Sequence, residues 1–164
     1  MRVLVVYGSK RGGTAGLAEM IGDALVADGL AAYVRSAQKC GPPDRYDAVI
    51  VAGALYASRW HPDVRRFVRR HASVLRELPV WLVASGPLDD SARDGHVAPV
   101  RQVAKLMKHI GARGQATFGG RLEPDAKGFP ANAMAKKRSG DWRDPEHVRE
   151  FALDVVQSLG VRVG

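Results

Sequence analysis

Three short stretches of the chain combine small residues, hydroxyls, cations and aromatics in patterns that suit ligand chemistry. The first is Gly8-Ser9-Lys10-Arg11-Gly12-Gly13-Thr14. Its glycines let the backbone turn tightly and aim N–H groups at an anion. Ser9 and Thr14 add hydroxyl donors, and Lys10 and Arg11 add positive charge. A helix beginning here contributes its free N–H groups and the positive end of its dipole. A terminal monophosphate fits such a cradle; the bland alternative is a plain strand-to-helix turn. The second stretch is Gly53-Ala54-Leu55-Tyr56-Ala57-Ser58-Arg59-Trp60-His61. Tyr56 and Trp60 are its candidates to stack on a flat heteroaromatic ring, with Ala54, Leu55 and Arg59 beside them. His61 either caps the next helix or sits near a negatively charged ring. The third is Ser85-Gly86-Pro87-Leu88-Asp89, a turn that offers backbone N–H and C=O groups to a ring edge.

Residue types reject competing motifs. A Walker loop ends in Gly-Lys-Ser/Thr, whereas Gly13 leads directly to Thr14. The dinucleotide fingerprint Gly-x-Gly-x-x-Gly is absent from the first loop. A phosphate-receiver domain requires acidic residues where Tyr7-Gly8 and Ala52-Gly53 stand, and a small tyrosine phosphatase requires a cysteine in the first loop. The single cysteine, Cys40, excludes an internal disulfide and a multi-cysteine metal site. No metal ligand set and no catalytic acid or base stands out.

The elements that must hold these stretches alternate. Val3 to Tyr7 is a continuous apolar run, the mark of a strand buried on both faces. From Thr14 the period becomes helical through Leu17, Ile21 and Leu25, ending at Gly29. Strands are predicted at Ala31–Ser36, Tyr46–Gly53, Val80–Ser85 and Gln115–Phe118. A helix opens at His61-Pro62-Asp63, with a buried stripe of Val64, Phe67, Val68, His71 and Leu75. A further helix runs from Val97 to Ile110, with Val100, Val103, Ala104, Met107 and Ile110 inward. The last opens at Asp144-Pro145-Glu146 and buries Val148, Phe151, Ala152, Val155, Val156 and Leu159. This alternation predicts a doubly wound, five-stranded parallel sheet of order 2-1-3-4-5 with helices on both faces. In such a sheet ligands bind beyond the carboxyl ends of the strands, where all three stretches fall. The 164 residues are expected to form one domain, 1–164, and 46% hydrophobic residues suffice for its core.

The net charge is +8, which favours acidic proteins, anionic lipid or nucleic acid as partners unless the excess only solvates helix faces. No apolar run is long enough to span a bilayer, so cytoplasmic residence is expected. One long irregular segment, Gly119 to Arg143, mixes Phe129 and Met134 with Lys136-Lys137-Arg138. It suits a lid or a membrane-facing strap, or a solvated connector.

Ser9, Gly12 and Thr14 match the phosphate loop Ser/Thr-x-Thr-Gly-x-Thr, with Arg11 in place of its middle hydroxyl residue, and on these the chain resembles the flavodoxin family. It resembles more closely the flavodoxin-domain branch that includes bacterial menaquinone-dependent protoporphyrinogen IX dehydrogenase. That match runs through Tyr46-Asp47, Gly53-Ala54, Tyr56 to His61, Phe67-Val68, His71-Ala72 and Ser139-Gly140 near Trp142. The resemblance implies a flavodoxin-like fold and noncovalent flavin mononucleotide (FMN). The phosphate would lie in Ser9 to Thr14, and the isoalloxazine between the later loops, toward Ser85, Gly86 and Pro87. It further implies an oxidoreductase acting on a small-molecule substrate, protoporphyrinogen IX, with a quinone acceptor, at the inner face of a membrane. The segment 119–143 is shorter than that branch's insert. An electron-carrying flavodoxin serving a redox partner protein, and a non-enzymatic basic module, are the alternatives. Nucleic acid is not expected as a partner.

Overall fold

A computed structural model describes residues 1–8, 13–56, 58–86, 99–119, 121–122, 140–141 and 144–161. The apolar run at the start forms β1 (Arg2–Gly8), with Val3 to Val6 fully buried. Helix α1 (Gly13–Ala27) follows and buries Leu17, Ala18, Ile21 and Leu25, one stripe at helical spacing. The next elements are β2 (Ala31–Ser36), β3 (Ala48–Tyr56), β4 (Arg59–Trp60), α2 (Pro62–Arg70), α3 (Ala72–Leu75) and β5 (Val80–Ser85). Then come α4 (Arg101–Ile110), β6 (Gly114–Phe118), β7 (Arg121–Leu122), β8 (Gly140–Asp141) and α5 (Pro145–Ser158).

The five long strands are parallel and lie in the order β2-β1-β3-β5-β6, the doubly wound order read from the alternation. Two short additions were not anticipated. Strand β4 folds back antiparallel on the end of β3, pairing Leu55 with Trp60 and Tyr56 with Arg59. Strands β7 and β8 form a separate antiparallel pair.

Each face of the sheet carries its own core. On one face α1 and α5 pack through Leu17, Ile21, Leu25, Phe151 and Val155 against Val3, Val5 and Ile50. On the other, α2, α3 and α4 pack through Val64, Phe67, Leu75, Val103 and Ile110 against Leu4, Val6 and Val51. Adjacent residues of β1 and β3 therefore serve opposite cores, which is why both strands read as unbroken apolar runs.

Several boundaries differ from expectation: β3 begins at Ala48, two residues late, β6 at Gly114, one early, and α4 at Arg101, with Val100 capping the helix from outside. The helix after His61 is interrupted at His71 (φ −108°), where α2 ends and the short α3 begins, and His71 is half-buried rather than inward. In α4 the buried stripe is Val103, Leu106 and Ile110; Ala104 is exposed, because the helix presents the Leu106 side of its surface to the core. Strand β3 runs on to Tyr56, because pairing with β4 extends its ladder beyond the parallel sheet. By contrast β5 takes the predicted position and α5 the predicted start, with Asp144 Oδ1 accepting from the N–H groups of Glu146 and His147; Leu159, expected in its buried stripe, follows its last residue and is half-buried.

Candidate functional site

The parallel strands bring their carboxyl ends to one edge. In register across it, Gly8 lies beside Gly53 and Gly53 beside Ala84, and one step further Ala54 lies beside Ser85 and Ser85 beside Phe118. Up to Ser85 the edge is thus made of small residues, and Phe118 closes it at β6. Strand order reverses between β1 and β3, since β1 is followed outward by β2 and β3 by β5. This is where a crevice opens above an α/β sheet.

The smallness of this edge has an internal cause. A Cβ on Gly53 would stand 2.5 Å from both Trp60 Nε1 and Val64 Cγ2, and one on Gly8 would stand 3.0 Å from Val64 Cγ1. Glycine is therefore needed at 53 to let the β4–α2 segment close over the sheet. Gly86, directly after β5, has φ +132°, a conformation side chains avoid, and its N–H donates to Phe118 O at 2.7 Å. The buried Ser85 directly before it ends the strand.

The hairpin after β3 contains the second candidate stretch. Ser58 supplies a left-handed residue (φ 62°) at the turn. Tyr56 is half-buried and pairs across it with the exposed Arg59. Trp60 does not take the stacking position expected of it. It is 0% exposed, and its indole N–H donates to the carbonyls of Gly53 and Val83, both at 3.1 Å. Period-two alternation explains the difference: next to an exposed Arg59, position 60 must point inward. Two further side chains, neither conspicuous in the sequence, secure this tryptophan. Gln102 Oε1 accepts from Trp60 N–H at 2.9 Å, and Arg65 Nε donates to Trp60 O at 3.0 Å. His61 is a buried helix cap, its Nδ1 accepting from Asp63 N–H at 3.1 Å.

At the first stretch, α1 begins at Gly13 beside the end of β1. Gly13 and Thr14 are both buried, and the first turn carries no acidic residue. A helix start of this kind, with a threonine hydroxyl among its free N–H groups, has the donor chemistry of a phosphate site. Ser9, Lys10, Arg11 and Gly12 lie outside the described residues, as do Ala57, Pro87, most of the segment from 119 to 143 and its basic cluster.

A separate cavity of about 280 Å³ lies between the loop after β2 and α2, lined by Gln38, Cys40, Asp63, Arg66, Arg70 and His71 among others. Burial pushes the Cys40 thiol up from its ordinary value against the opposing pull of Arg35, so it is a poor nucleophile at neutral pH. Burial, with Arg70 adding to it, holds His71 below the ordinary histidine range.

A family model described as a flavodoxin domain matches residues 4–136, and the chain belongs to that family. No curated protein matches the chain. Among solved structures, a flavodoxin from the domain Archaea is similar over 93% of this chain and 99% of its own, at 15% identity and TM-score 0.59. The flavodoxin of Streptococcus pneumonia matches 96% and 99% of the two chains, at 19% identity and TM-score 0.60. The rubredoxin oxygen:oxidoreductase of Desulfovibrio gigas matches 97% of this chain but 36% of its own, at 13% identity and TM-score 0.65. At these identities the structures speak for the fold. Family membership implies FMN as the cofactor. Among the described residues, no helix is long and apolar enough to cross a membrane.

Proposed function

We propose that the chain is a single domain, 1–164, that binds FMN at the crevice between β1 and β3 and exchanges electrons through it. The observation that carries this reading is the buried start of α1, with Thr14 among its donors and no acidic residue in its first turn, set beside the strand-order reversal. Ser9, Lys10, Arg11, Gly12, Gly13 and Thr14 would hold the phosphate. Ala54, Leu55, Tyr56 and Arg59 would line one side of the ring, and Ser85, Gly86 and Pro87 the other. Tyr56 is the stacking candidate; Trp60 supports the hairpin from beneath. Bound FMN supplies the redox chemistry, and the chain supplies orientation, exclusion of water and a positive local field.

Oxidation of protoporphyrinogen IX with a quinone acceptor is the finer reading, supported by the sequence resemblance alone. A second reading, electron exchange with a partner protein, is favoured by the cations of α2 and α4. The cradle is tested by titrating the apoprotein with FMN and with riboflavin, which lacks the phosphate. Two charge-assisted hydrogen bonds of about 1.5 kcal/mol each amount to about a hundredfold preference for FMN. Equal affinities would remove the phosphate assignment. Turnover of protoporphyrinogen IX with menaquinone, measured on the FMN-loaded chain, separates the two finer readings.

A further inference from the structure

We propose that the outer surface of the α2–α4 layer is the docking face for an acidic redox protein, which it brings to the crevice end of the sheet. The inference deepens the electron-exchange reading above and rests on it.

The first ground is charge. Helix α2 carries Arg65, Arg66, Arg69 and Arg70 against the single acid Asp63. Helix α4 adds Arg101, Lys105 and Lys108 with no acid. All of these but Arg65 are exposed, the Arg66 side chain to 67%. The layer on the other side of the sheet has the opposite sign: α1 carries Glu19 and Asp23 with no base, and α5 carries Glu146, Glu150 and Asp154 with only Arg149.

The second ground is that the fold does not require this charge. Arg65 with Arg69 and Arg66 with Arg70 are like-charge pairs at i,i+4, each mildly destabilising. The helix dipole favours Arg69 and Arg70 in the last turn but gives nothing to Arg65 and Arg66. Arg65 does have an internal duty, at Trp60 O. The ion pair of Arg66 with Asp63 is long, at 3.9 Å, and its arginine stands largely in solvent, so it contributes little.

The third ground is position. Helix α2 leaves directly from the β4 hairpin, and Gln102 ties the first turn of α4 to the same hairpin through Trp60 N–H. The exposed Arg59 continues the basic surface onto the hairpin itself. A partner seated on the layer therefore reaches the carboxyl edge of the sheet.

The kind of partner follows from what accompanies the cations. Among the described residues the exposed large hydrophobics are Met1, Val26 and Leu153, none of them in this layer. A surface without apolar wedges or exposed aromatics is poorly made for entering lipid or stacking on bases. Arginine forks match carboxylates, and opposite fields speed encounter with an acidic protein.

The test uses the FMN-loaded full chain and, as probe, a strongly acidic plant-type [2Fe–2S] ferredoxin, with binding measured by calorimetry at low and at physiological salt. Expected is binding that weakens steeply with salt. The variant Arg66→Glu/Arg69→Glu/Arg70→Glu/Lys105→Glu should lose about tenfold or more in affinity, with the corresponding Gln variant intermediate. A reversal on the other layer, Glu19→Lys/Asp23→Lys/Asp154→Lys, should leave the affinity intact. Circular dichroism and FMN titration verify that each variant is folded and loaded. Equal effects of the two reversals, salt-independent binding or no binding would overturn the proposal. So would tighter binding to phosphatidylserine vesicles or to a short DNA duplex than to the ferredoxin. Ferredoxin binding by a chain that takes up no FMN would leave the docking face standing and sink the proposed function; FMN uptake without ferredoxin binding would do the reverse.

Discussion

The two helical layers solve the same packing problem by different means. The α1/α5 layer is held by apolar contact, with Phe118 and Phe151 meeting edge to face at 5.5 Å. The α2–α4 layer is also apolar inside, but its crevice end is pinned by directional bonds that converge on one residue. Trp60 donates from its ring to two strand carbonyls, and its backbone is held by Gln102 and Arg65. Dispersion tolerates small displacements, whereas several hydrogen bonds meeting at one residue tolerate few. The layer next to the proposed ring site is the one whose position is specified bond by bond, and it is also the one with the cationic exterior.

The largest effect is expected at the pin. Trp60→Ala should cost about 3–5 kcal/mol, as for other buried large-to-alanine changes. Trp60→Phe retains most of the volume but removes the donor, and should cost about 1–3 kcal/mol. On the other layer Phe151→Leu, a near-volume change without polar loss, should stay below about 1.5 kcal/mol. Urea unfolding followed by circular dichroism measures all three. If Trp60→Phe is no worse than Phe151→Leu, the contrast between pinned and unpinned layers is wrong.

Glycines sharpen the same contrast. Gly53→Ala would push a methyl into Trp60 and Val64, both held in place, and should cost about 1–3 kcal/mol. Gly22 faces the other way: its new methyl would crowd the end of Val34, at 2.9 Å on the half-buried strand β2, and touch Ala32 Cβ at an ordinary 3.8 Å. There a helix-propensity gain of about 1 kcal/mol offsets the crowding, so Gly22→Ala should be close to neutral. Equal losses at the two sites would show that the layers are equally unyielding.

The smallest effect concerns pH. His71 has its pKa lowered by burial and by Arg70, so near that pKa the unfolded chain binds more protons than the folded one. Its contribution to stability is fully present above the unfolded value of 6.5 and is lost as pH falls through that value toward the folded pKa. Melting temperature should therefore decline on acidification less in His71→Gln than in the parent. An identical decline would remove His71 as a contributor.

Much of this architecture was legible from periodicity. Strand β5 and the start of helix α5 are legible to the residue because turn and cap signals adjoin unbroken apolar patterns. The strand order followed from alternation and handedness. The break at His71 was not legible, since neither proline nor glycine marks it and the apolar stripe continues to Leu75. Nor was β4, a two-residue strand whose turn sets Ser58 at positive φ in place of the usual glycine or asparagine. That omission led Trp60 to be read as a loop aromatic facing a ligand, when its neighbours make it a core residue. The asymmetry of charge between the layers was also hidden. Composition yields only the +8 total, and the sign of each face emerges once helices are assigned to sides.

The reversal of strand order that opens the crevice can be weighed in chain entropy. Strand β1 pairs with β2 across 29 residues, from Val3 to Ala32, and with β3 across 45, from Val3 to Ala48. Had β3 paired with β2 instead, the loop would have been 16 residues, Ala32 to Ala48; closing 45 in its place costs only about 0.9 kcal/mol, because closure entropy grows with the logarithm of length. The reversal of strand order at the carboxyl edge therefore costs about as much as one ordinary hydrogen bond contributes to stability.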